Sequence, residues 1–356
     1  MTAFLDIYVS AVVANWRLLA GLNQGETAAV VKADAYGLGA VQVAPVLAAA
    51  GCKTFFTAHL AEAVALRPLL PGARILVLNG LATHAAADFI AHEIIPVLGS
   101  LEEIAQWRAA AVRLERKLPA FLHVETGLNR LALPAKAFAA LQEDQTLLEG
   151  VVIDTVMTHL AVADAPEDER NQHQLQDFLV MAAAFPEAKR SIANSPGMFL
   201  GPAFHQDLTR PGAALYGLNT SPAQPRAMRP VVRLSAPVLQ IREIQPGERV
   251  GYGGTWVAAR PSRIATVGVG YADGLQRALS SRATAYFDDT PVPLVGRVSM
   301  DLSTFDVTDV PAKPGDLLEL LGARHGADEL ADEAGTIGYE ILTSLGRRYQ
   351  RRYTGA

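Results

Sequence analysis

Eight short apolar runs, alternating with segments of a different period, constrain the fold of this chain more than any other feature. They fall at Ala28–Lys32, Thr54–Ala58, Arg74–Asn79, Ile94–Leu98, Pro119–Thr126, Val151–His159, Arg190–Ser195 and Ala213–Leu218. Runs of this length read as strands buried on both faces of a parallel sheet. Between them lie Ala-, Leu- and Glu-rich stretches of helical period, such as Leu101–Leu114, Pro134–Gln142 and Asp168–Ala184. Pro134 suits the first turn of its helix. The alternation predicts an α/β fold, an N-terminal (β/α)8 barrel whose active site lies at the C-terminal ends of the strands. The helix before Ala213 is weak, so pattern alone leaves an open doubly wound sheet as the alternative.

Composition changes over Thr220–Pro230, where Ser221, Pro222, Pro225 and Pro230 predict a linker. Beyond it, Val231–Ile244, Ser262–Val269, Ala283–Phe287, Pro293–Asp306 and Asp316–Leu321 are β-branched and turn-punctuated, with no long helix between them. They predict a mainly antiparallel β domain. One helix candidate, Ala327–Leu345, comes late. The expected domains are therefore residues 1–225 and 226–356.

The chain of 356 residues is half apolar, enough for a large domain and a smaller one. Thirty-one basic against 36 acidic residues, a formal charge of -5, make no electrostatic case for nucleic acid or an anionic membrane. The single cysteine, Cys52, has no intrachain disulfide partner and reads as a small core filler after the Ala-rich helix 40–50. No basic and apolar leader opens the sequence, and no uncharged run is long enough to span a bilayer. These features predict a cytoplasmic protein.

The stretch Ala28-Ala-Val-Val-Lys-Ala-Asp-Ala-Tyr-Gly-Leu-Gly-Ala40 carries the first chemistry. Lys32 stands where a buried strand ends and a glycine-punctuated loop begins. A lysine there ordinarily snorkels to water. Held partly buried, it is instead poised for a depressed pKa and Schiff-base formation with an aldehyde cofactor. Tyr36 adds a hydroxyl, and Gly37 and Gly39 let the backbone turn. Other polar residues recur at strand ends: Arg130, His159, Asn194-Ser195 and Arg210. Each alone reads as a solvated loop residue or a core histidine. A barrel brings all of them to one rim. Loops after the last two strands, which hold Ser195 and Gly212, commonly bind phosphate in such barrels.

Val31-Lys-Ala-Asp-Ala-Tyr-Gly-Leu-Gly39 resembles the pyridoxal-phosphate attachment motif of alanine racemases, and the similarity extends through further motifs over essentially all of the chain. The resemblance implies the two-part architecture, with the extreme N-terminus joining the second domain. It implies that Lys32 holds pyridoxal 5'-phosphate covalently, and that Tyr36, Ser195, Gly212, Ala213 and Tyr339, the last in Gly338-Tyr-Glu340, bind its phosphate. Arg210 then faces the pyridine nitrogen, with His159 and Asn194 beside the cofactor. A guanidinium cannot accept a proton, so that nitrogen stays unprotonated and the ring a weaker electron sink.

Racemisation needs proton carriers on opposite faces of a planar carbon. Lys32 is one. Tyr252, in Val250-Gly-Tyr-Gly-Gly254, resembles the other, and the resemblance puts it in the partner subunit's site, implying a homodimer. A hydrogen-bonded His159–Arg210 pair nearby is expected to lower its pKa from about 10. Arg130 resembles the arginine that contacts the substrate carboxylate and the cofactor's phenolic oxygen. Ser299-Met-Asp301 matches a segment in which the Met300 backbone N–H faces that carboxylate and Asp301 supports the site. Tyr271, in Gly270-Tyr-Ala-Asp-Gly274, resembles a tyrosine at the mouth of the site, which with Tyr339 favours a side chain as small as methyl.

One position departs from the family. Where many members carry a carbamylated lysine seven residues before the substrate arginine, this chain has His123. Histidine forms no equivalent carbamate, so Arg130 lacks that anionic partner. Competing readings are weaker. Barrel proteins that bind the cofactor without racemising lack the β domain, and related decarboxylases need a cysteine there. A metal hydrolase lacks histidines at ligand spacing. The expected activity is alanine racemisation, supplying D-alanine for peptidoglycan, with a broader small-amino-acid racemase or a non-catalytic cofactor-binding protein as alternatives.

Overall fold

A computed structural model describes residues 2–81, 84–221 and 228–355. Pro222 and Pro225 of the expected linker, and the boundary after residue 225, lie outside the described residues. Two compact units emerge. One comprises Val12–Ala35 and Gly39–Met228, the other Met1–Ala11, Tyr36–Leu38 and Arg229–Ala356.

The first unit is a parallel barrel. Seven strands pair in chain order: Ala29–Val30, Thr54–Thr57, Arg74–Val77, Ile95–Leu98, Leu118–His123, Val151–Met157 and Lys189–Ser191. The expected eighth strand, Ala213–Leu218, is not a strand. Ala213–Tyr216 form a 3-10 turn ended by Gly217 at φ 83°. The eighth place is taken by Leu208–Thr209, which pairs in parallel with Glu26–Thr27. This short strand is bonded on both sides. Ala28 N donates to Thr209 O (2.9 Å) and Val30 N to Pro211 O (2.9 Å), while Asp207 N donates to Arg190 O (3.1 Å) and Arg210 N to Ala193 O (2.9 Å). The ring therefore closes, and the open-sheet alternative falls. Apolar content at 213–218 marked burial, which a turn satisfies as well as a strand does.

Helices match their expected spans closely: Ala40–Ala49, Leu101–Arg113, Ala135–Glu143 and Arg170–Ala182. Ser100 caps the second by accepting from Glu103 N (3.2 Å). Phe55, Phe56, Phe89, Trp107, Phe121 and Phe178 fill the core. Cys52 is buried, its thiol pushed up to about 12 by burial, which leaves it a packing residue.

The second unit is built on a mainly antiparallel sheet. Its path runs Thr290–Pro293, Thr284–Phe287, Leu317–Leu321, Val232–Ile244, Phe4–Tyr8, Gln350–Thr354, with Ser262–Val267 branching from Val232–Ile244 and Ser303–Asp306 pairing with Ser262–Val267. Within this sheet, among the described residues, only Phe4–Tyr8 and Gln350–Thr354 pair in parallel. Register sets Asp6 opposite both Arg233 and Arg352, and the buried carboxylate bonds to both guanidiniums (2.9 Å to Arg233 Nη2, 2.5 Å to Arg352 Nε). Of the expected run Pro293–Asp306, Pro293 ends the strand Thr290–Pro293 and only Ser303–Asp306 is a strand of its own, while the expected helix Ala327–Leu345 is two helices, Ala327–Ala334 and Gly338–Thr343. Gly335, at φ 73°, stops the first of them. Among the described residues, no helix is long and apolar enough to cross a membrane.

Candidate active site

The barrel rim is built one strand end at a time. Lys32 follows Ala29–Val30 and is half-buried. The next four residues, Ala33, Asp34, Ala35 and Tyr36, all have left-handed backbone, with φ of 52°, 55°, 54° and 56°. None is glycine. For L-residues such a turn costs about 1–2 kcal/mol per residue. Gly37 and Gly39 were expected to turn the chain, and they do so at φ 82° and 97°, but the strain falls on the residues before them. Local bonds hold the turn: Ala35 N donates to Val31 O (2.9 Å), and the Asp34 carboxylate accepts from Ala40 N (2.7 Å) at the start of the next helix.

Around Lys32 the rim is cationic. Burial and the Arg130 guanidinium lower its pKa, and Glu62 opposes them. Arg210 follows Leu208–Thr209 directly and is fully buried, donating to Ser191 Oγ (2.5 Å), Thr158 O (2.6 Å) and Ile192 O (3.4 Å). Burial lowers its pKa too. The expected His159–Arg210 hydrogen bond is absent among the described residues; backbone carbonyls and Ser191 take the guanidinium instead. His159 nevertheless feels that charge. Desolvation, then Arg210, Arg130, His123 and Lys32, hold its pKa well below the ordinary value. The imidazole is therefore neutral.

His123 ends its strand and is buried. Burial, with Arg210 and Arg130 adding to it against Glu125, lowers its pKa to about 4. Arg130 itself has no hydrogen-bond or ion-pair partner among the described residues. Its loop is shaped by Glu125, which accepts from Gly127 N (2.5 Å) and whose pKa falls because loop N–H groups outweigh its burial. The histidine has a consequence for stability. Unfolding returns His123 to about 6.5, so between roughly pH 6.5 and 4 the unfolded chain binds a proton that the folded chain refuses. Stability therefore falls with pH through that window, by up to about 1.4 kcal/mol per unit from this residue. His159 adds a loss of the same sign. Urea midpoints between pH 7 and 5 should fall less steeply in His123→Asn, and an unaltered slope would contradict the assignment.

Ser195 and Asn194 follow Lys189–Ser191. Ser195 Oγ accepts from Gly212 N (2.8 Å) and Ala214 N (3.2 Å), which leaves its own proton to donate outward. Gly212, which the resemblance implies among the phosphate binders, gives its own N–H to Ser195 in this structure. Ala213 N–H has no acceptor among the described residues. Asn194 Oδ1 accepts from Gly197 N (3.0 Å), fixing the loop between them.

Several residues here were not singled out from sequence. Gln174, on the buried face of Arg170–Ala182, donates to Thr126 Oγ1 (3.1 Å) and His159 O (3.2 Å) and accepts from Ala161 N (2.8 Å). A glutamine within an apolar helix stripe was the available signal. Glu62 and Glu103 bind backbone N–H groups at other strand ends. Nothing in their spacing distinguishes them from ordinary first-turn acids.

The second unit carries the remaining candidates. Tyr36 is buried, its ring 6.0 Å from that of half-buried Tyr339, and burial followed by Tyr339 raises its pKa. Gly37 must be glycine, since a Cβ there would lie 2.4 Å from Leu342 O. Tyr271 N donates to Ser299 O (3.0 Å) and Ala272 N to Met300 O (2.9 Å), so the two expected motifs are bonded together. Arg348 joins them again, through Asp273 Oδ1 (2.6 Å) and Asp301 Oδ1 (2.8 Å). Tyr252, between Gly251 at φ 75° and Gly253 at φ 73°, is 72% exposed, and Met300 is 54% exposed.

Comparison with known proteins matches the family model "Alanine racemase, N-terminal domain" to residues 7–220 and "Alanine racemase, C-terminal domain" to residues 231–353. An alanine racemase of Acidiphilium cryptum is 56% identical over 348 residues, 98% of this chain and 97% of that protein. The crystal structure of alanine racemase from Bartonella henselae with covalently bound pyridoxal phosphate is 42% identical, with a TM-score of 0.95 and 99% of each chain covered. The biosynthetic alanine racemase of Pseudomonas aeruginosa is 34% identical, with a TM-score of 0.91 and the same coverage.

Proposed function

This chain belongs to the alanine racemase family, and on that premise we propose how its own residues perform the reaction. It is a pyridoxal-phosphate-dependent isomerase that interconverts L- and D-alanine. The bound cofactor withdraws electrons from the substrate's Cα and makes its hydrogen acidic. The observation that supports our residue assignment is the charge pattern of the rim: Lys32 with a lowered pKa, two guanidiniums and two neutral imidazoles. A phosphorylated aldehyde with a phenolic oxygen, and an amino acid with a carboxylate, are the anions such a rim suits.

We assign each group by its chemistry. Lys32 would hold the cofactor through its amine and, when that amine is free, keep the α-proton on Nζ at one face of Cα. Tyr252 Oη serves the other face. Ser195 Oγ–H and Ala213 N–H donate to phosphate, as do Tyr36 and Tyr339, while Gly212 acts indirectly by fixing Ser195. Arg210 would donate to the cofactor's pyridine nitrogen without protonating it, which favours return of the proton to Cα over side reactions. His159 and Asn194 shape the cofactor's surroundings, and neutral His123 leaves the charge of Arg130 for the substrate carboxylate. Met300 N–H completes that recognition, Asp301 holds its loop, and Tyr271 with Tyr339 limits the side chain to about the size of a methyl group.

We infer a homodimer in which each copy lends Tyr252 to the other, a reading supported by the exposure of Tyr252 and Met300 on the single chain. The family's usual purpose extends the proposal to cytoplasmic supply of D-alanine for peptidoglycan. The reaction is tested by incubating L-alanine with the holoenzyme in deuterated water. D-alanine carrying deuterium at Cα is the expected product, and unchanged L-alanine would overturn the reading.

A further inference from the structure

We propose that Glu62 is a positioning residue for Lys32: its carboxylate clamps the left-handed turn that carries the lysine and sets a fixed negative charge beside the amine. This rests on the reading of Lys32 as the cofactor lysine. Glu62 lies in the first turn of helix Leu60–Leu66, after the neighbouring strand Thr54–Thr57. One oxygen, Oε1, accepts from Ala33 N at 2.6 Å, one residue beyond the lysine. The other, Oε2, accepts from Ala58 N (2.8 Å) and His59 N (3.1 Å), which end the neighbouring strand. One side chain thus ties two strand ends together at the site of greatest backbone strain.

The chemistry requires a carboxylate. Three N–H donors converge on two oxygens, and an amide offers only one acceptor, so glutamine must face at least one donor with its own NH2. The charge matters as well. Arg130 and burial drive Lys32 toward its neutral form, and Glu62 is the group that resists them. His159, the other titratable group coupled to Lys32, is neutral and adds no counter-charge. A base that keeps a proton between removal and return needs both tendencies. Both Glu62 oxygens accept from backbone N–H groups, so the residue acts on Lys32 through the turn that carries it.

A control lies on the same rim. Glu103 has the same architecture, with Oε1 accepting from Leu81 N (2.8 Å) and Oε2 from Gly99 N (2.9 Å), but it does not act on Lys32. The experiment compares wild-type, Glu62→Gln, Glu62→Asp and Glu103→Gln holoenzymes. Its readouts are the rate at which hydroxylamine strips the cofactor and the visible circular dichroism of the bound cofactor. Glu62→Gln should release cofactor about tenfold faster, the equivalent of one lost bond to a charged acceptor. Its cofactor dichroism should weaken, and kcat should fall with KM for alanine unchanged. The lysine-dependent limb of its pH profile should move to lower pH, since a negative neighbour is gone. Glu62→Asp should restore that limb. Glu103→Gln should lower Tm while leaving release and dichroism at wild-type values. A borohydride-stable adduct at Lys32 in the wild type, with release unchanged in Glu62→Gln or equally fast in Glu103→Gln, overturns the role of Glu62 alone. No adduct in the wild type overturns the reading of Lys32 and this proposal with it.

Discussion

Lys32→Ala is expected to eliminate covalent attachment of pyridoxal phosphate and to lower kcat by at least about 10⁴-fold, because one residue serves as both anchor and proton carrier. The protein should still fold. Lys32 lies at the rim, and its half-buried amine is disfavoured in the charged form, so removing it relieves a desolvation cost. Borohydride reduction followed by peptide mass analysis should give an adduct at Lys32 in the wild type and none in the variant. Cofactor added in excess should bind only reversibly, through the donors at Ser195 and Ala213. Wild-type turnover in Lys32→Ala would remove this lysine from the mechanism.

Tyr252→Phe should produce a one-sided defect. Losing a positioned general base costs about 10²–10⁴-fold. Here the loss should fall on α-hydrogen removal from L-alanine, while exchange from D-alanine through Lys32 persists. Measuring solvent deuterium uptake into each enantiomer separates the two faces. Equal impairment in both directions would discredit the two-base assignment. The same variant tests whether sites are shared. Lys32→Ala and Tyr252→Phe subunits each lack one proton carrier for racemisation when alone, but a mixed dimer in which tyrosine crosses to the partner contains one complete site. Activity regained on mixing supports that arrangement, and none would place Tyr252 in its own subunit's site.

Much of this molecule is legible in its sequence for identifiable reasons. Strands buried on both faces need continuous apolar runs, so Thr54–Thr57, Arg74–Val77 and Ile95–Leu98 stood out. The same logic misled at Ala213–Leu218, where buried apolar residues form a 3-10 turn. It also passed over Leu208–Thr209, a strand too short to leave a pattern, which closes the barrel because both neighbours offer it hydrogen bonds. The strained turn at Ala33–Tyr36 was invisible for a related reason. Alanine gives no sign of left-handed backbone, and the bonds that hold it there come from Asp34 and Glu62. Arg210, which taken alone reads as a solvated loop residue, is fully buried, and its partners are Ser191 and backbone carbonyls rather than His159.

Local order along the chain determined which residue types this protein has to work with: an amine at a strand end, arginines and histidines after later strands, and a tyrosine between glycines. It also determined the period of each segment, since side-chain spacing and burial act over a few neighbours. Only tertiary structure decided which strand closes the ring, which N–H groups Ser195 and Glu62 bind, and that His123 and His159 are neutral. Those outcomes depend on donors, charges and desolvation contributed by residues tens to hundreds of positions away, and no local pattern records them.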